Sequence, residues 1–150
     1  MAGYYPRANM TRIETAYFIS MLSDSDIVFE WGSGQSTILF SQWCRRFYSV
    51  DDSAEWYQRV KQFLVTDNVV QFLQEDHKKY ANEIHFSEGL YDFIFIDGAE
   101  RVACALEARK HLKETGFLIV HDWNRPEYGE IRKAYREIKV VDTLGILILK

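Results

Sequence analysis

The run Ile27-Val28-Phe29-Glu30-Trp31-Gly32-Ser33-Gly34-Gln35-Ser36-Thr37 constrains this chain more than any other, because an apolar strand must turn through two nearby glycines straight into a helix. Gly32 and Gly34 lack a Cβ, so the backbone there can bend sharply and come close to a ligand. A second apolar run ends at Asp51-Asp52, which sets an acid at the tip of the next strand, where a carboxylate can grip a ribose. Together these features point to a nucleoside-bearing cofactor. Two departures from a G-x-G-x-x-G pattern narrow its type: Glu30 stands two residues before the first glycine, and Thr37 replaces the third. A pyrophosphate exploits the partial positive charge at a helix N-terminus. An aminoacyl nucleoside instead brings an ammonium that needs an acceptor, which Glu30 or a backbone carbonyl supplies.

The rest of the chain alternates element types without repeats or low-complexity tracts. Thr11-Arg12-Ile13-Glu14 is a capping box that opens a helix running to about Leu22. Strands are expected at Ile27 to Glu30, Phe47 to Val50, Val69 to Leu73, Phe93 to Asp97 and Phe117 to His121. Helices are expected at Ser36 to Arg45, Ala54 to Leu64, Val102 to Leu112 and Glu127 to Arg136. Short continuous apolar runs, rather than alternating ones, mark strands covered on both faces. The fold class is therefore α/β, a Rossmann-like doubly wound and mostly parallel sheet. Ile138 to Asp142 and Gly145 to Leu149 are joined by too few residues for a crossover helix, so they form an antiparallel pair at the sheet edge.

With 47% hydrophobic residues, 150 residues suffice for one substantial core, so residues 1–150 read as a single domain, either alone or within a longer polypeptide. A net charge of −4 and the lack of a basic run argue against nucleic acid as a partner. Cys44 and Cys104 share no metal-ligand spacing and read as free thiols in a reducing compartment. No apolar run is long enough for a bilayer and the start lacks a signal-peptide layout, so a soluble cytoplasmic protein with no membrane partner is expected.

Four ordered segments, Glu30 to Thr37, Tyr48 to Asp51, Tyr91 to Gly98 and Gly116 to Asp122, together resemble class I S-adenosylmethionine-dependent methyltransferases over nearly the whole chain from about Met10. The resemblance implies S-adenosylmethionine as cofactor, S-adenosylhomocysteine as product, and a last strand entering antiparallel between its neighbours. It also implies that Met10 and Thr11 lie over the methionine end of the cofactor, and that the base sits near Glu75, Asp76 and His77. Because ligands of open sheets lie beyond the carboxyl ends of the strands, Glu30, Gly32, Ser33, Gly34, Ser36, Thr37, Asp51, Asp97 and Gly98 are the expected cofactor-binding residues. A nicotinamide-dependent oxidoreductase and a non-catalytic cofactor-binding module are the alternatives. Thr37 and the antiparallel tail count against the first.

The reaction implied is an in-line displacement in which a substrate nucleophile attacks the sulfonium methyl, so the protein contributes alignment and, for a hydroxyl acceptor, a base. His121 is the first choice for that base, because imidazole titrates near neutrality, with Asp122 and Asp97 to orient it or serve instead. Trp123, Asn124 and Arg125 follow the fifth strand and read as substrate-binding, an aromatic face and polar groups suited to a sugar ring, so the expected acceptor is a small molecule or glycan. Similar sugar and catechol O-methyltransferases hold magnesium with acids after the fourth and fifth strands. Here Ala99 and His121 stand where two of those acids would be, so no divalent metal is expected. Tyr4, Tyr5 and Arg7 are candidates to fold over the crevice. The short chain suggests either a homodimer-completed pocket or attachment to a domain such as a glycosyltransferase.

Overall fold

A computed structural model describes residues 9–86 and 89–150; Tyr4, Tyr5 and Arg7 lie outside the described residues. Thr11 caps α1 (Arg12–Met21): its Oγ1 accepts from Glu14 N at 3.2 Å while Glu14 Oε2 accepts from Thr11 N at 2.9 Å. The chain then runs β1 (Ile27–Trp31), α2 (Gln35–Phe40), β2 (Arg46–Asp51), α3 (Ala54–Phe63), β3 (Val69–Leu73), α4 (His77–Tyr80) and β4 (Tyr91–Ile96). It continues through α5 (Arg101–Ala108), β5 (Leu112–Val120), α6 (Gly129–Ala134), β6 (Tyr135–Val141) and β7 (Leu144–Leu149).

The seven strands form one sheet in the order β3-β2-β1-β4-β5-β7-β6. The first five pair in parallel, and β7 runs antiparallel to both β5 and β6. This is the mostly parallel, doubly wound sheet with an antiparallel C-terminal pair that the apolar runs dictate. Successive strand side chains point to opposite faces, and the core divides accordingly. Ile94 and Ile96 join Phe29 and Trp31 on one face, whereas Phe93 and Phe95 join Phe18, Val28 and Phe40 on the other; Tyr91 joins the first group because the register shifts between Tyr91 and Phe93. Glu30 shares the parity of Val28 and so points into the side covered by α2.

Several boundaries depart from the periodicity. The helix expected to reach Arg45 ends at Phe40 and passes into a 3₁₀ turn at Ser41–Trp43. Asn68 Nδ2 donates to the carbonyls of Ser41 and Cys44 at 2.8 and 3.0 Å, so a distant side chain satisfies groups that further helix would have used. The helix expected to reach Leu112 ends at Ala108, because Tyr91 N takes the His111 carbonyl at 2.7 Å and draws Leu112 into β5. Likewise Tyr135 and Arg136, expected as helix, pair with Leu149 and Ile148 in β6. Residues 77–86, where no strand or helix is expected from the sequence, form α4 and a 3₁₀ segment, Ala81–Phe86, with Asp76 capping α4 through Lys78 N at 2.9 Å. Among the described residues no helix is long and apolar enough to cross a membrane.

Candidate active site

A cleft of about 550 Å³ opens beyond the carboxyl ends of β1, β2, β4 and β5, where the strand order reverses between β1 and β4. Its floor is the turn Gly32–Gly34. Gly32 adopts φ +99°, and a Cβ there would stand 2.6 Å from Gly98 N and 2.7 Å from Asp97 O. The turns after β1 and β4 thus touch backbone to backbone, and only glycine permits it. Gly32 N donates to Val50 O at 2.8 Å and Asp97 N to Trp31 O at 2.9 Å, which locks both turns to their neighbouring strands.

Asp51 ends β2 at the cleft wall. Its Oδ2 accepts from Ser33 N and its Oδ1 from Ser53 N, both at 2.9 Å, so each oxygen is aimed by one backbone amide and keeps lone-pair capacity for another donor. Burial pushes the carboxyl up to about 6, against the backbone amide bonds from Ser53, Ser33 and Asp52 that lower it. Trp56, in the first turn of α3, lines the same wall and donates its indole N–H to the Ser33 carbonyl. Sequence reading did not single out Trp56; the available signal was an aromatic one turn into the helix after the acid-bearing strand.

Glu30 departs from expectation. It is fully buried and is absent from the cleft lining; its carboxyl accepts from the hydroxyls of Ser36, Thr37 at 2.6 Å and Ser49 at 2.8 Å. Thr37 Oγ1 in turn accepts from Gly34 N at 3.0 Å, and Ser49 Oγ lies 2.6 Å from Ser33 Oγ. Glu30 is therefore the hub that braces the glycine turn from beneath, and Thr37 holds the position of a third glycine because its hydroxyl links turn to hub. Burial drives the Glu30 carboxyl up to about 8, outweighing the three hydroxyl bonds that lower it. No ammonium acceptor is presented there. Ser36 does border the cleft, while Thr37 is wholly internal.

At the opposite wall Arg101 is the organising group, also unforeseen. Its guanidinium lies between Asp97 (Nη2 to Oδ1, 3.3 Å) and Asp122 (Nη1 to Oδ2, 3.2 Å), and donates to the carbonyls of Gly98 at 3.0 Å and His121 at 2.7 Å. Arg125 Nη2 reaches the same Asp122 Oδ2 at 3.0 Å. Asp122 sits at φ 53°, a left-handed backbone that aspartate tolerates and that turns the chain away at the strand end. Asp97, Asp122 and His121 have ligand atoms close enough to share a metal ion, but the guanidinium already occupies the space between the two carboxylates.

His121 is not where a base must be. It is 3% exposed and absent from the cleft lining, with Nδ1 3.0 Å from Asp97 Oδ1 and Nε2 3.3 Å from Glu14 Oε2. Burial alone would lower its pKa, but the bond to Asp97 and the charges of Asp97, Asp122 and Glu14 raise it above the ordinary value. Both ring nitrogens thus face carboxylates, an arrangement that favours the protonated ring and braces α1 against the end of β4.

The remaining expected residues divide. Gly98 and Arg125 line the cleft. Met10 lines a separate depression between α1 and α2, about 430 Å³, that shares only Gln35 with the cleft. Thr11 is taken by its cap and donates to Asp142 Oδ2 at 2.7 Å. Trp123 is not a stacking platform: it is buried, its indole donates to Glu137 Oε2 at 2.6 Å, Tyr128 stacks on it, and Arg132 lies 4.4 Å above the ring. Asn124 is exposed outside the cleft lining. Glu75, Asp76 and His77 also stay outside it, with His77 Nε2 bound to Asp52 Oδ2 at 2.6 Å.

A glycine turn at the strand-order reversal, an acid at the tip of β2 and an antiparallel last strand define the class I S-adenosylmethionine-dependent methyltransferase architecture. A family model described as a methyltransferase domain matches residues 29–123, and the chain belongs to that family. The fold is similar to a methyltransferase-like protein from Silicibacter pomeroyi, with a TM-score of 0.82 at 17% identity, covering 97% of this chain and 89% of that one. A precorrin-6y C5,15-methyltransferase from Geobacter metallireducens follows at TM-score 0.73 and 14% identity, covering 97% and 91%. A TehB-like SAM-dependent methyltransferase from Corynebacterium glutamicum gives TM-score 0.69 at 14% identity, covering 95% and 90%. A comparison with curated protein sequences finds no match.

Proposed function

We propose that the cleft binds S-adenosylmethionine and that the protein transfers its methyl group to a hydroxyl of a small polar acceptor, a carbohydrate included. When bound, the cofactor supplies an already activated methyl carbon, so the protein's task is alignment and proton removal. The observation that carries the reading is Asp51: two backbone amides aim its oxygens, and their remaining lone pairs suit the paired hydroxyls of a ribose. Trp56 gives the adenosine half an aromatic flank, and the Gly32–Gly34 turn with Asp97 and Gly98 holds the methionine half.

The acceptor half is then bordered by Arg101, Asp122 and Arg125, a strongly polar wall that favours an acceptor rich in hydroxyls over an apolar one. Asp122 replaces His121 as the proton acceptor, because it lines the cleft and His121 does not. Arg101 orients Asp122 and neutralises the charge of Asp97 and Asp122, which favours turnover independent of divalent metal. Calorimetric titration with S-adenosylhomocysteine and with NAD tests the cofactor: selective binding of the former is expected, and NAD binding would overturn the reading. Methyl transfer from labelled cofactor to hydroxyl and amine acceptors, with and without chelator, tests the chemistry. Transfer to amines alone, or loss of transfer with chelator, would refute those parts.

A further inference from the structure

At the end of the sheet opposite the cleft, His85 of the 3₁₀ segment before β4, Glu107 near the end of α5 and His111 just before β5 bring one ligand atom each to within 4.8 Å of one another. From this convergence we infer a binding site for a first-row divalent cation of zinc type, separate from the cleft.

The geometry goes beyond an ordinary ion pair. The Nε2 atoms of both histidines converge on one oxygen: His85 Nε2 lies 2.6 Å and His111 Nε2 3.8 Å from Glu107 Oε1. Zinc bonds imidazole and carboxylate at about 2.1 Å, so tetrahedral ligand atoms stand roughly 3.4 Å apart. The two separations straddle that value, so small side-chain rotations suffice to admit an ion. His111 Nε2 is buried and has no hydrogen-bond partner among the described residues, while the two rings meet edge to face at 4.9 Å. A single proton shared by His85 and Glu107 leaves that nitrogen unsatisfied; a cation satisfies all three groups at once.

The donor set selects the ion. Two imidazoles and one carboxylate suit zinc, nickel and copper, whereas magnesium and calcium want oxygen ligands. Glu107 and His111 are 15% exposed at the side chain and His85 is 44% exposed, so the fourth position faces solvent on the His85 side. Lys110 Nζ stands 3.3 Å from each Glu107 oxygen and competes for the carboxylate, but its side chain is 66% exposed and free to swing away. The bound ion would staple the 3₁₀ segment Ala81–Phe86 to the end of α5 and the turn into β5.

Zinc is titrated calorimetrically into the untagged protein, alongside magnesium, for the wild type, His85→Ala, Glu107→Gln and Lys110→Met. One zinc per chain is expected, with at least tenfold weakening in His85→Ala and Glu107→Gln, severalfold tightening in Lys110→Met, and no magnesium binding. Cobalt(II) should give the intense visible d–d bands of a four-coordinate site in the wild type and lose them in His85→Ala. Absence of saturable zinc binding, or zinc binding unchanged in both His85→Ala and Glu107→Gln, overturns the inference. S-adenosylhomocysteine affinity in the same variants is expected to match the wild type, so failure here and failure of the cleft assignment are separately visible.

Discussion

Replacing Glu30 with Gln should make the protein more stable at neutral and alkaline pH, although it removes an acid from the heart of the cofactor motif. The carboxyl is fully buried and raised from an ordinary 4.5 to about 8, so below pH 8 the folded chain keeps a proton there that the unfolded chain has already lost above 4.5. For a carboxyl raised on folding, the stability it contributes is fully present below the unfolded value and is lost as pH climbs through the folded one. The slope is about 1.4 kcal/mol per pH unit, so the window holds about 5 kcal/mol in all. Glutamine has the shape of the protonated acid, and the hydroxyls of Ser36 and Ser49 can rotate to accept from its amide. The two proteins should therefore be within about 1 kcal/mol of each other near pH 4.5, and the variant should lead increasingly above it. Urea unfolding followed by circular dichroism, at several pH values for both proteins, measures this. Between about pH 5.5 and about pH 7.5 the difference should change by about 3 kcal/mol in favour of the variant. Asp51 and His121 titrate in both proteins and cancel in the subtraction. A difference constant with pH would refute the claim that Glu30 is a protonated internal hub.

Three further outcomes follow from the same geometry. In the proposed ribose contact Asp51 accepts from both hydroxyls as a carboxylate, and burial raises it to about 6, so S-adenosylhomocysteine affinity should fall about tenfold per pH unit below that value. Asp51→Asn should flatten this profile and weaken binding by about 1.5–3 kcal/mol, as read by calorimetry. Gly32→Ala forces a Cβ to within 2.6 Å of Gly98 N at a left-handed φ, so it should cost about 2–4 kcal/mol of stability in urea unfolding and abolish cofactor binding. Trp123→Phe removes the indole bond to Glu137 and should lower Tm by roughly 4–8 °C, yet leave S-adenosylhomocysteine affinity within about twofold, since the ring faces the core.

Where the fold was legible, the reason was local. The strands β1 and β3 stand within one residue of their expected bounds, because each is a short apolar run closed by turn residues. The C-terminal hairpin was legible because so few residues separate its runs that only antiparallel pairing is sterically open. The ends of α1 and α3 also fell within one residue of expectation, but those of α2, α5 and α6 did not. They depend on partners such as Asn68, which accommodates the carbonyls of Ser41 and Cys44 from 24 or more residues away, and Tyr91, which claims the His111 carbonyl.

For the cleft, sequence order alone determined which strand ends meet: the Gly32–Gly34 turn, Asp51, Asp97 and Asp122 all follow from topology, since ligands gather where the winding of an open sheet reverses. Which atoms face the cleft was decided only by packing. Glu30 and His121 carry the side chains that chemistry would choose, but strand parity and the contact with α1 turn both inward, to three hydroxyls in one case and to Glu14 and Asp97 in the other. Trp123 was likewise claimed by Glu137, Tyr128 and Arg132, while Arg101 and Trp56 reached the cleft from helices whose rotation no single residue announces. Periodicity reads out backbone direction, a local property; side-chain facing depends on residues brought together across the whole chain, and only the folded structure contains that.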